Sequence, residues 1–285
     1  MKIKFNHLHF LGATSAYSSA KVVLCGCPFD GTTTYLPGSR FAPNAIREAS
    51  DVLETYSPIL NRDLSEIPLC DLGDLELPFG NTPRILNLIK KAISNILNDG
   101  KIPLIMGGEH LITYPIISAY TKYYPNLSVI QLDAHADLRE NYLGEKLSHS
   151  TVMRRIVETV GGSNLIQLGI RSGTQEEFDF ARQIGSLYDL NNDQLNVIKN
   201  QIEGKEIYIS IDLDILDPSI MPGTGTPEPG GLDFEKLIEI LTFFKEANVV
   251  GMDIVELLPQ KSSNQISSSI VAAKIIRESL LLYFL

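Results

Sequence analysis

Three cysteines in 285 residues are too few for a disulfide framework: Cys25, Cys27 and Cys70 form an odd set without a Cys-x-x-C pair. Their scarcity points to a reducing, cytoplasmic setting, with Cys25 and Cys27 as buried thiols on or beside an apolar strand. No apolar run approaches the length of a membrane span. Near the N-terminus, Asn6, His7 and His9 interrupt the continuous apolar stretch that a secretory signal needs. Positive charge is also in deficit, with 24 Lys+Arg against 34 Asp+Glu and a formal net charge of -10. That sign argues against a nucleic-acid backbone or an anionic membrane as partner and suits a cationic small molecule. Repeats, low-complexity tracts and linkers are missing too, so one domain over residues 1–285 is expected.

The chain does have enough apolar residues, 44% of the total, for a sizeable core. Short runs rich in Val, Ile and Leu predict strands at 21–25, 102–106, 128–132, 165–170, 206–211 and 249–255, with short ones near Leu69 and Leu187. Between them, apolar spacing predicts helices at 44–53, 82–97, 111–123, 151–160, 175–184, 193–202, 234–246 and 265–284. Prolines and glycines between Ser57 and Gly80 predict a segment that wanders over the surface. Strand and helix in alternation imply an α/β fold: a mostly parallel central sheet in a three-layer α/β/α arrangement.

In open parallel sheets, ligands bind outside the carboxyl ends of the strands. Four polar segments follow predicted strands there: Gly107-Gly-Glu-His110, Asp133-x-His-x-Asp137, Asp212-x-Asp214 and Asp253-Ile-Val-Glu256. An extended backbone would aim Asp133, His135 and Asp137 to one side, and Asp212 and Asp214 likewise. Any one such triplet is more often a helix cap, a turn or a salt-bridge site. Together they would bury several carboxylates that repel one another unless cations neutralise them. Four carboxylates balance two divalent cations, and oxygen donors with imidazole but no thiolate favour Mn²⁺ over Zn²⁺ while leaving Fe²⁺, Co²⁺ and Ni²⁺ open.

These residues carry a resemblance to the ureohydrolase family, which contains arginases and agmatinases. It extends over nearly the whole chain, and its most specific parts are Leu132-Asp-Ala-His-Ala-Asp137 and Ser210-Ile-Asp-Leu-Asp-Ile-Leu-Asp-Pro218. The resemblance implies an arginase-like fold and two Mn²⁺ ions, one held by His110, Asp133, Asp137 and Asp212, the other by Asp133, His135, Asp212 and Asp214. Water held by two cations is acidified into the physiological range and would attack a guanidinium carbon. Asp214 is implied as a partner of the tetrahedral intermediate. Glu256 resembles the family's guanidinium-binding glutamate, and His149 the histidine that handles protons or positions substrate. A homo-oligomer, trimer or hexamer, is implied as well.

Within the family the chain looks more like agmatinases. Gly223-Thr-Gly-Thr-Pro-Glu-Pro-Gly-Gly231 is similar to their form of that loop, and 137–150 lacks the Ser/Asn pattern with which arginases hold an amino acid. Agmatine to putrescine plus urea is therefore the expected reaction. Ser150 and the 260–264 segment depart from the agmatinase pattern, and Lys261 is either a solvated lysine or a charge that favours an acidic guanidino compound such as guanidinobutyrate. Arginase or guanidinopropionase activity would use the same motifs. A one-zinc deacetylase of related fold and a metal-binding relative without turnover are the rivals outside this chemistry, and the first lacks its adjacent histidine pair here.

Overall fold

The apolar runs pair in parallel to make one eight-stranded sheet. The structure, a computed structural model, describes residues 8–259 and 266–285. In chain order the strands are β1 (Val22–Cys27), β2 (Tyr56–Ser57), β3 (Arg62–Asp63), β4 (Leu69–Asp74), β5 (Ile102–Gly107), β6 (Ser128–Leu132), β7 (Leu165–Leu168), β8 (Leu187–Tyr188), β9 (Glu206–Asp212) and β10 (Asn248–Val255). The helices are α1 (Ala42–Ser50), α2 (Thr82–Asn98), α3 (Thr113–Tyr120), α4 (Val152–Val160), α5 (Gln175–Ile184), α6 (Asn192–Gln201), α7 (Phe234–Phe243) and α8 (Ile266–Tyr283). The sheet order is β4-β1-β5-β10-β9-β6-β7-β8, while β2 and β3 form a small antiparallel pair.

Period-2 alternation divides the core between the two faces of the sheet. Val22, Leu24, Leu104, Met106, Ile130 and Ile209 join one apolar cluster with Ile46 of α1, Ile198 of α6, Leu241 of α7 and Ile276 of α8. Val23, Cys25, Ile105, Val129 and Tyr208 join the other with Ile89 of α2, Ile117 of α3, Ile156 of α4 and Ala181 of α5. Each fully buried Leu or Ile stabilises by about 1.5–3 kcal/mol. The expected three-layer α/β/α fold is therefore present. All three cysteines are buried and unpaired, and Leu280, Leu281 and Phe284 of the apolar tail pack into the core.

The short strand expected near Leu69 is present as β4, which adds to the sheet beside β1 in register from Val22↔Leu69, within a stretch otherwise expected to wander. The short apolar run of that stretch is interrupted by Pro68, yet Leu64, Ile67 and Leu69 are buried. One local expectation needs correction: the helix expected at 111–123 is shorter, since a 3-10 turn over His110–Ile112 precedes α3, which ends at Tyr120. Among the described residues no helix is long and apolar enough to cross a membrane.

Topology, rather than sequence proximity, assembles the site. β5, β10, β9 and β6 are consecutive neighbours in the centre of the sheet, although they are far apart along the chain. Adjacent strands lie about 4.8 Å apart, so the segments following these four strands necessarily crowd together at one edge.

Candidate active site

At the carboxyl end of β6 the backbone stops being extended after Leu132, and Asp137 has φ 53°. The three acid and imidazole side chains of 133–137 therefore do not share a strand face. They converge because the loop curls: His135 N–H donates to Asp133 Oδ1 at 2.6 Å, and His135 pairs with Ser172 in an isolated bridge. The same correction holds for Asp212 and Asp214. Asp212 ends β9, and Asp214 sits in the following 3-10 turn, with its N–H donated to Asp212 Oδ1 at 2.9 Å.

His110 is buried, and its Nδ1 lies 3.1 Å from Asp133 Oδ2, 3.2 Å from Asp137 Oδ2 and 3.4 Å from Asp212 Oδ2. None of these contacts meets hydrogen-bond geometry, so the nitrogen is orphaned. On the other side His135 Nδ1 is 2.8 Å from Asp214 Oδ2 and 3.8 Å from Asp133 Oδ1. Two groups of ligand atoms result: His110, Asp133 and Asp212, and then Asp133, His135 and Asp214. Asp133 belongs to both.

The electrostatics of this cluster are those of acids that lack counter-charge. Burial and the neighbouring Asp214 push Asp133 up to about 7. Burial, Asp214 and Asp133 hold Asp212 well above the usual carboxylate range. Burial pulls the histidines down, but the surrounding acids outweigh it, leaving His135 at about 11 and His110 well above 6.5. Only Asp214 is lowered, because the His135 contact overcomes its burial. Protons here stand in for missing positive charge. An orphaned imidazole nitrogen facing three carboxylates, with oxygen donors and no thiol, fits a divalent cation.

Glu256 follows β10 with φ 64°, an uncommon conformation for a residue with a side chain. Its backbone N–H donates to Gly108 O at 2.9 Å, and its Oε1 accepts the His110 N–H at 2.7 Å. Burial and the nearby Glu109 raise it to about 8. Gly225 lies beside Oε2, where an added Cβ would stand 3.9 Å away. The tighter neighbour of such a Cβ is the Leu36 carbonyl oxygen, at 3.2 Å.

His149 sits in a 3-10 turn, its ring edge-on to Tyr142 with centroids 6.0 Å apart. Burial lowers its pKa. No motif in the sequence marks the residues that hold it. His149 N–H donates to Thr32 Oγ1 at 3.0 Å, while Thr32 donates its hydroxyl to Glu109 Oε1 at 2.5 Å and its N–H to Oε2 at 2.7 Å. Glu109 lies within the Gly107–His110 strand-end segment, but its partner is 77 residues away and no spacing rule connects them. Arg154 stacks on Phe180 at 3.7 Å and pairs with Glu140 at 3.0 Å. Asp253 is inside β10 rather than at its end, and Lys261 lies outside the described residues.

Comparison with known proteins gives a consistent result. The sequence profile of the Arginase family matches residues 20–282. The chain is 44% identical over 276 residues to an agmatinase of Bacillus anthracis, covering 95% of each chain. It is 43% identical over 277 residues to an agmatinase of Bacillus subtilis, again covering 95% of each. Its structure is similar to that of an agmatine ureohydrolase of Thermoplasma volcanium, with a TM-score of 0.87, 32% identity, and coverage of 98% of this chain and 94% of that one.

Proposed function

The chain belongs to the arginase family, and from that premise we propose that it is a two-manganese ureohydrolase converting agmatine to putrescine and urea. As a member it is a hydrolase acting on a guanidino C–N bond. The observation that carries the proposal is the sharing of Asp133 between two imidazole-carboxylate groups, beside a glutamate whose Oε1 is fixed by the His110 N–H.

In this reading His110, Asp133, Asp137 and Asp212 would hold one cation, and Asp133, His135, Asp212 and Asp214 the other. When bound, the cation pair supplies acidified water as the nucleophile for the guanidinium carbon. Glu256 receives the planar guanidinium on Oε2, while the His110 N–H fixes Oε1. Asp214 is held by the Ala134 N–H at 3.1 Å and faces the carbon as it becomes tetrahedral. His149, kept neutral by its burial, takes up a proton and returns it to the departing amine. Addition of water and cleavage of one C–N bond then give urea and the amine.

Agmatine is favoured over amino-acid guanidines by the acidic charge and by the sequence between Asp137 and Ser150. Buried unpaired thiols support a cytoplasmic setting. Exposed Phe41, Val52 and Ile266, which line one 630 Å³ groove, support assembly into a homo-oligomer. Residues 1–285 would act as one catalytic domain. The test is urea release by the manganese-loaded protein from agmatine, arginine, guanidinobutyrate and guanidinopropionate at equal concentration. The proposal expects agmatine to give the highest kcat/KM. Preference for a carboxylate-bearing substrate would overturn the agmatine assignment, and no urea from any of them would overturn the activity.

A further inference from the structure

Behind His110, away from the acids, lies a second ordered network. Asp253 is fully buried inside β10 and accepts three hydroxyl hydrogen bonds, from Ser210 Oγ at 2.6 Å, Thr113 Oγ1 at 2.9 Å and Tyr208 OH at 2.9 Å. Ser210 Oγ is also 2.9 Å from His110 Nε2. Burial raises the Asp253 carboxyl, opposed first by the charge of His110 and then by the three hydroxyl donors.

With Asp253 ionised, the hydrogens in this chain have one consistent arrangement. A carboxylate only accepts, so Ser210 must give its single hydroxyl proton to Asp253. The serine oxygen is then an acceptor toward His110, and Nε2 must carry the imidazole proton. A neutral imidazole protonated on Nε2 has its lone pair on Nδ1, the atom that faces Asp133, Asp137 and Asp212. The far nitrogen of His135 has no comparable side-chain partner among the described residues.

We propose that Asp253, acting through Ser210, is the positioning group that fixes the tautomer and ring orientation of His110 and so presets its Nδ1 as a cation ligand. The proposal rests on the two-cation reading above. It assigns a function to a buried acid that neither contacts the substrate nor belongs to the ligand set. Partners of this kind, beyond the ligands themselves, change metal affinity by about 10–100-fold.

Titration with Mn²⁺ alone, followed by calorimetry, tests this on wild type, Ser210→Ala and Ser57→Ala. Ser57 donates to the buried Glu278 at 2.6 Å, so its variant removes a similar serine-carboxylate bond elsewhere in the molecule. Wild type and Ser57→Ala are expected to bind two ions with equal affinities. Ser210→Ala is expected to lose about 10–100-fold in affinity for one of the two. A second measurement needs no variant. In ¹⁵N-histidine-labelled wild type loaded with Zn²⁺, one ligand histidine should show an Nε2–H protected from solvent exchange. Unchanged affinities in a folded Ser210→Ala, or an Nδ1–H tautomer for His110, would overturn the relay alone. A wild type that binds no metal would overturn the relay and the two-cation reading together.

Discussion

Asp133 sits where two demands meet. It is fully buried, accepts Gln131 Nε2–H at 2.6 Å and the His135 N–H at 2.6 Å, and still presents an oxygen to each histidine. Asp133→Asn replaces one oxygen with an amide donor and removes the charge. We expect both cations to weaken together, by more than the about 100-fold that an outer partner is worth, measured by metal content after dialysis. Glu256→Gln separates substrate from metal, because it removes charge from a group outside both ligand sets. Losing a charge-assisted bond of about 1.5–3 kcal/mol lowers kcat/KM roughly 10–100-fold with two ions retained. Loss of metal from that variant would move Glu256 into the ligand set.

At this scale the residues that cluster as candidate ligands were singled out by motif and strand-end position, but their geometry was not legible. Asp137 and Glu256 both adopt positive φ, against the ordinary preference of non-glycine residues, and no local pattern announces it. The partners of Glu109 and Asp253 were hidden for another reason: Thr32 and Ser210 are 77 and 43 residues away in the chain. Only the register of the folded sheet brings such pairs together.

Elements were readable wherever the apolar spacing was long and uninterrupted, as in α2 and β9. The reading fell short where edge position or 3-10 geometry intervened. Between Ser57 and Gly80 the apolar sequence announces only a short strand near Leu69, and the full extent of β4 is fixed by long-range contacts. Arg47 of α1 is buried and pairs with Asp71 Oδ2 at 2.8 Å and Asp74 Oδ1 at 2.5 Å, tying α1 to β4. Arg47→Met fills a similar space but strands the acids without a counter-charge. A cost of about 3–5 kcal/mol is expected for breaking such a buried pair, read by denaturant unfolding. A loss below about 1 kcal/mol would mean that the pair behaves as a surface bridge.

For the whole molecule, the acidic cluster links stability to pH and metal. In the metal-free protein, burial raises Asp133 from 3.8 to about 7 and Glu256 from 4.5 to about 8. The folded state therefore holds protons that the unfolded chain has already released, and stability falls as pH rises from about 4 to about 8. His135, raised from 6.5 to about 11, acts in the same direction from neutral pH upward. Asp214 is lowered, so its contribution is complete above its ordinary range and changes little in that window. Bound cations replace the protons. The difference in Tm between manganese-loaded and chelator-treated protein should therefore widen between pH 5 and pH 8, and a constant or narrowing gap would contradict this.

The sheet order joins all of this, since it places the ends of β5, β10, β9 and β6 side by side and turns separate motifs into one centre. Crystals grown with Mn²⁺ and measured at the manganese absorption edge test that centre most directly. Two anomalous peaks are predicted, one against His110, Asp133 and Asp212 and one against Asp133, His135 and Asp214. A single peak, or none at these residues, would contradict the two-cation account.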